Sequence, residues 1–264
     1  MKKIISICFL LVFVIQLRAQ TELVIPNGDR NIYGVLASPD SVSVKKVAII
    51  SHGFNGTHEF GESYFQTLND LGYAVYSFDF PCGSVRSRSD NNTMNMSVLD
   101  EVSDLKAIVG YFRAQGDVDT TNIILIGESQ GGLVSALAAA SLKEQIRRLV
   151  LIYPALCIPD DWRARYATEA DIPDTTDVWG VPVGRRFFLQ LRDLDVFDAI
   201  AGYESPVLII HGSRDQVVSL HYSERAKAVY HNARIRVIFG AGHGFSPEQR
   251  TSANQFIRNF LAAD

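Results

Sequence analysis

Four short runs in this chain are apolar almost from end to end: Val47-Ala48-Ile49-Ile50-Ser51, Ile123-Ile124-Leu125-Ile126-Gly127, Leu149-Val150-Leu151-Ile152-Tyr153 and Val207-Leu208-Ile209-Ile210-His211. Runs without polar alternation suit strands covered on both faces, as in a parallel sheet flanked by helices. The strands expected on this basis span 32–37, 46–51, 74–78, 122–127, 148–153, 206–211 and 234–239. Helical patterns fill the gaps at 63–71, 98–114, 130–142, 220–230 and 247–261. In the second of these, Val98, Leu99, Val102, Leu105, Ile108, Val109 and Phe112 recur every three or four residues, the spacing of an amphipathic helix. Alternating strands and helices predict an α/β domain with a mostly parallel central sheet. The stretch 156–200 breaks the alternation. It carries Pro159, Pro173, Pro182 and both tryptophans, and it is too long for an ordinary connection, so a small inserted cap with its own short helices is expected there.

The first nineteen residues read differently from the rest. Met1-Lys2-Lys3 is a short basic start, an apolar run follows to Leu17, and Ala19 offers a small residue before Gln20. This is the pattern of a secretory signal peptide, with an apolar run shorter than the ~20 residues that a spanning helix needs. The expectation is a 20–264 domain that is secreted or periplasmic, without stable membrane association once the leader is cleaved. Losing Lys2, Lys3 and Arg18 moves the formal charge from −4 to −7, and an acidic chain without a basic face argues against nucleic-acid binding. Cys82 and Cys157 then remain; export permits a bridge between them, but two cysteines are not a disulfide framework, and small buried thiols are the plainer expectation. No Cys/His cluster has metal-ligand spacing, so no metal is expected.

Chemistry-bearing residues gather at strand ends. Gly127-Glu128-Ser129-Gln130-Gly131-Gly132 follows an apolar strand and opens a small-residue helix, which is G-x-S-x-G in the strand–turn–helix setting that projects a serine hydroxyl above a sheet. His211-Gly212-Ser213-Arg214-Asp215 sets an acid four positions past a strand end, where it can accept the imidazole Nδ1 proton. Asp193, Asp195 and Asp198 compete but precede that strand. Gly240-Ala241-Gly242-His243-Gly244-Phe245 follows the last strand, and the order Ser129, Asp215, His243 is one that supports a Ser-His-Asp triad. His52, His58, His211, His221 and His231 lack that position. Ser51-His52-Gly53-Phe54-Asn55-Gly56 follows an early strand; the backbone N–H groups of Phe54 and Gln130 are the expected oxyanion donors, with His52 bracing the loop.

Together these four motifs resemble the α/β-hydrolase superfamily and, more narrowly, the compact bacterial feruloyl (cinnamoyl) esterases. The stretch from Thr93 to Glu101 also resembles the segment by which those enzymes enter the helix before the nucleophile strand. The chain departs at Phe80-Pro81-Cys82-Gly83-Ser84-Val85-Arg86-Ser87, where many relatives carry a G-x-G-x-S loop. The resemblance implies an α/β-hydrolase fold and a cofactor-free carboxylesterase releasing hydroxycinnamate from plant polysaccharide. It also implies a cap whose polar side chains meet the aromatic acid; Asp161, with Asp160 beside it, falls at the expected place. Trp162, Trp179, Phe187 and Phe188 either line an aryl pocket or form the cap's own core. A short-chain acyl or acetyl esterase, or a small serine peptidase, remains open on the same triad, and loss of a triad member would have favoured a non-enzymatic scaffold.

Overall fold

In the computed structural model, residues 20–39 and 43–263 are described, so the leader expected at 1–19 lies outside them. The strands are β1 Gln20–Asn27, β2 Arg30–Ala37, β3 Lys45–Ser51, β4 Tyr73–Phe78, β5 Val118–Glu128, β6 Arg148–Ile152, β7 Thr175–Val178, β8 Val181–Gly184, β9 Val207–Gly212 and β10 Ala233–Ile238. Among the described residues eight of them form one sheet in the order β1-β2-β4-β3-β5-β6-β9-β10, while β7 and β8 make a separate antiparallel pair. The contacts of β2 with β1 and β4 are antiparallel, and from β4 to β10 every neighbour is parallel.

The helices are α1 Glu62–Asp70, α2 Val98–Arg113, α3 Ser129–Leu142, α4 Ile158–Arg165, α5 Arg185–Leu191, α6 Val196–Ile200, α7 Leu220–Val229 and α8 Pro247–Ala262. They explain why the central strands carry no polar alternation. Val47, Ile49, Ile123, Leu125, Leu149, Leu151, Val207 and Ile209 face the core shared with α2 and α3. Their neighbours Ala48, Ile50, Ile124, Ile126, Val150, Ile152, Leu208 and Ile210 face the opposite core, built with Tyr64, Phe65 and Leu68 of α1 and Ile257 and Phe260 of α8. Each face of the pleat is therefore dry, and burying each of these Val, Leu and Ile side chains contributes about 1.5–3 kcal/mol.

Helix starts follow side-chain chemistry. The Ser97 hydroxyl accepts the Asp100 N–H at the head of α2, and Ser246 with Gln249 forms a capping box ahead of α8, where Pro247 has no N–H to leave unpaired. The connection from β6 to β9 carries α4, the β7–β8 hairpin, α5 and α6, with Phe187, Phe188 and Leu191 buried beneath it. The strand β1 was not expected from the sequence: only Ile25 of its eight residues is buried, so an edge strand leaves little apolar signature. Cys82 and Cys157 are both buried as free thiols. No described helix is long and apolar enough to cross a membrane.

Candidate active site

Parallel register brings distant loops to one edge of the sheet. Ser51 pairs with Gly127, Glu128 with Ile152, Ile152 with Ile210 and Gly212 with Ile238, so the carboxyl ends of β3, β5, β6, β9 and β10 lie in line. In open α/β sheets this edge is where ligand chemistry sits.

The turn from β5 into α3 is steep. Ser129 has φ +48°, a left-handed conformation that costs a non-glycine residue about 1–3 kcal/mol, and it aims the side chain away from the sheet. Glycine is required around it for want of space. A Cβ on Gly127 would stand 2.3 Å from the Gly131 carbonyl oxygen, and one on Gly131 would stand 2.3 Å from that of His52.

Ser129 Oγ lies 2.9 Å from His243 Nε2, and His243 Nδ1 lies 2.8 Å from Asp215 Oδ2. The residues that the sequence pattern singled out as a triad are thus brought into one hydrogen-bonded relay. Asp215 is held from four sides: its Oδ1 accepts the N–H groups of Val217 and Val218, both at 2.9 Å, and its Oδ2 also stands 3.3 Å from His211 Nε2. Burial pushes this carboxyl up, but hydrogen bonds from His211, His243 and the Val218 backbone outweigh it and hold Asp215 well below the usual carboxylate range. An ionised Asp215 fixes the proton of His243 on Nδ1 and leaves Nε2 free to accept from Ser129.

The loop after β3 stands over this relay. A Cβ on Gly53 would come within 3.1 Å of Ser129 Cβ, so the backbone there passes close to the serine. The next residue, Phe54, donates its N–H to no backbone carbonyl among the described residues, and the Gln130 N–H belongs to the first turn of α3, where a helix supplies no acceptor of its own. Asn55 follows with φ +55°, fastened to the 83–85 loop: its N–H donates to the Gly83 carbonyl at 3.0 Å, and its Oδ1 accepts from Ser84 Oγ at 3.1 Å and from the Val85 N–H at 3.0 Å. His52 braces the same loop. Its Nε2 accepts the Phe80 N–H at 3.0 Å, its Nδ1 meets the Gly53 carbonyl at 2.7 Å, and burial lowers its pKa.

Beside the serine opens a cleft of about 360 Å³. Phe54, Trp162, Trp179 and Phe187 line it, together with the exposed charged residues Asp161, Arg165 and Asp177. Trp162 has two roles at once, since its ring also packs edge-on against Phe188 at 4.6 Å in the core under the hairpin. Trp179 is 75% exposed at the β7–β8 turn, with φ +52°, and its ring meets Phe54 at 5.7 Å. Asp160, the neighbour of Asp161, points elsewhere: it pairs with Arg163 and Arg225 and accepts the Tyr222 hydroxyl at 3.0 Å.

Two carboxyls stand close by that the sequence pattern did not single out, Glu101 buried and Glu128 half-buried. Glu128 Oε1 accepts the Tyr153 hydroxyl at 2.9 Å, and burial raises this carboxyl to about 7. Glu101 on α2 accepts both contacts of the Gln130 amide, at 2.9 and 3.0 Å, and burial raises it to about 8. Glu128 occupies the variable position of G-x-S-x-G and Glu101 reads as one more helix acid, so only their folded surroundings mark them.

Comparison with known proteins agrees with this architecture. The chain is similar to Est1E from Butyrivibrio proteoclasticus, with 25% identity over 92% of this chain and 99% of that one and a TM-score of 0.78. Against Est1E with ferulic acid bound the identity is 26%, over 91% of this chain and 99% of that one, and the TM-score is 0.81. A putative esterase/lipase of Mycoplasma pneumoniae is 30% identical over 121 residues, 46% of this chain. The match spans 40% of that relative's length, and 62% of an uncharacterized Mycobacterium tuberculosis protein 26% identical to this chain. Residues 42–176 match the model of the family described as serine aminopeptidase, S33. That match takes in the loop over the serine, the G-E-S-Q-G-G turn and the first part of the segment that roofs the cleft, and the chain belongs to this family as a hydrolase of the α/β-hydrolase type.

Proposed function

We propose that the chain is an exported serine carboxylesterase that cleaves esters of aryl acids, hydroxycinnamates in particular, through an acyl-enzyme on Ser129. The observation that carries this reading is the relay from Asp215 through His243 to Ser129 at the head of an aromatic-lined cleft. His243 Nε2 takes the Ser129 hydroxyl proton as Oγ attacks the ester carbonyl. The carbonyl π electrons move to oxygen, and the N–H groups of Phe54 and Gln130 stabilise that oxyanion, each contributing about 3–4 kcal/mol to the barrier reduction. Collapse expels the alcohol, protonated by His243. Water, deprotonated by the same nitrogen, then attacks the acyl-enzyme, and Ser129 leaves with the proton as the acid is released. No step calls on a cofactor.

The preference for an aryl acid rests on Phe54, Trp162, Trp179 and Phe187 in the cleft, with Asp161 at hand for a ring hydroxyl. Similarity to a protein solved with ferulic acid bound supports the same choice. Export rests on the leader pattern at 1–19 and would bring the enzyme to polysaccharide-linked esters of plant cell walls. The family's description favours a second reading, an aminopeptidase on the same relay.

Hydrolysis of methyl ferulate, p-nitrophenyl acetate, p-nitrophenyl butyrate and an aminoacyl anilide separates these. The expected result is preference for the ferulate ester, with Ser129→Ala losing on the order of 10⁶-fold in kcat. Turnover of only the short acyl esters would remove the hydroxycinnamate assignment, and turnover of only the anilide would favour the peptidase. Activity surviving in Ser129→Ala would overturn the nucleophile itself.

A further inference from the structure

Glu128 is a half-buried carboxyl that reaches several loops of the site without belonging to the Asp215–His243–Ser129 relay. It immediately precedes Ser129. Its Oε1 takes the Tyr153 hydroxyl at 2.9 Å, and its carboxyl carbon lies close to the loop that carries Phe54, where a Cβ on Gly53 would stand 3.7 Å from it. Tyr153 sits just past β6 with φ +34°, its N–H donating to the Ile210 carbonyl at 2.7 Å. The other side of the Tyr153 ring system meets the relay: its centroid is 4.8 Å from that of the His243 imidazole, with the planes 56° apart. One carboxyl therefore lies against the oxyanion loop and reaches the histidine loop through a single ring.

We propose that Glu128 is a positioning residue that ties these two loops to the nucleophile turn, and that its negative charge favours the imidazolium which His243 becomes in each proton transfer. The proposal rests on the serine-esterase reading above. Asp215 already meets the ring at Nδ1, and Ser129 or the departing alcohol occupies Nε2, so Glu128 acts from a third direction, across Tyr153. In a buried site that interaction is screened far less than it would be in water.

The groups facing Glu128 are Tyr153 beyond β6, His243 beyond β10, Arg250 on α8 and Tyr64 on α1. Burial pushes its ionisation up to about 7, against the pull of Tyr153, the charge of His243, the Gly53 N–H and Arg250. Near neutrality the carboxyl is thus divided between a charged form that assists His243 and a neutral form that does not. A carboxyl serving only to hold the loops would make the same contacts yet leave the shape of the pH dependence alone.

The test is kcat/KM for p-nitrophenyl butyrate from about pH 5 to about pH 9 for the wild type, Glu128→Gln and Tyr153→Phe, with Ser129→Ala as control. The expected wild-type profile rises through two ionisations, one of them at about 7. Glu128→Gln keeps a single ionisation, and its plateau falls about tenfold. Tyr153→Phe removes the donor that favours the charged carboxyl, so the extra ionisation moves to higher pH; this variant decides the matter alone should Glu128→Gln not fold. Profiles of unchanged shape in both variants, scaled only in height, would overturn the proposal. Absent wild-type turnover, or turnover surviving in Ser129→Ala, would remove the serine-esterase reading and the proposal with it.

Discussion

Asp215 spends all its hydrogen-bonding capacity inside the protein, on two backbone N–H groups and two imidazoles. Asparagine in its place would keep an acceptor for Val217 and Val218 but turn an amide N–H toward His243 Nδ1. The imidazole would then carry its proton on Nε2, where it can take nothing from Ser129. Asp215→Asn is expected to lower kcat about 10⁴-fold with little change in KM, measured by steady-state turnover of the preferred ester. At this scale the sequence was informative where a residue type, its neighbours and its order along the chain agreed, as for Ser129, Asp215 and His243. It was silent on His211, read there only as one more histidine. Its contact with Asp215 spans just four residues, yet it depends on how the strand end turns. Glu128 was passed over because the motif leaves its position open, and Tyr153 because strand pairing, not spacing along the chain, brings it under His243.

Among the elements, strands buried on both faces announce themselves and edges do not. The runs that became β3, β5, β6 and β9 are continuous in hydrophobicity because helices cover both sides, whereas β1 and β7 bury one residue each and β8 is only four residues long, so none of them carries such a mark. The loop at 80–87 was noted only as a departure from a familiar pattern. The structure gives it a task, since Gly83, Ser84 and Val85 hold Asn55 in its left-handed turn beside Phe54. Asn55→Ala removes the acceptor for Ser84 and Val85 and loosens the turn that aims the Phe54 N–H. The expected loss in kcat is about 10- to 100-fold, less than deletion of an oxyanion donor itself. Asn55→Asp keeps both acceptor contacts and should recover most of the rate, and equal losses in the two variants would count against this role.

Across the whole molecule, buried acids set how stability responds to pH. Burial raises Glu101 to about 8, Glu128 to about 7 and Asp104 to about 6, so the folded chain retains protons that an unfolded chain has released. Between the ordinary carboxylate range and these values, stability falls as pH rises, by ~1.4 kcal/mol per pH unit for each proton so held. Asp215 has the opposite sign: its folded-state pKa is depressed, so its contribution is present above the ordinary carboxylate range and is lost as pH falls below it. Thermal unfolding should therefore be highest in mildly acidic buffer and decline toward pH 8. Glu101→Gln should flatten that decline, and a melting temperature equally steep in the variant would contradict it. The parallel register has another consequence. The serine, the acid and the histidine leave three different strands, and His243 follows the strand that closes one side of the sheet. Neither half of the chain holds the whole relay, so turnover is expected to report completed assembly. On the proposed serine mechanism, whatever interrupts the docking of β10 is expected to silence turnover as fully as removing the serine.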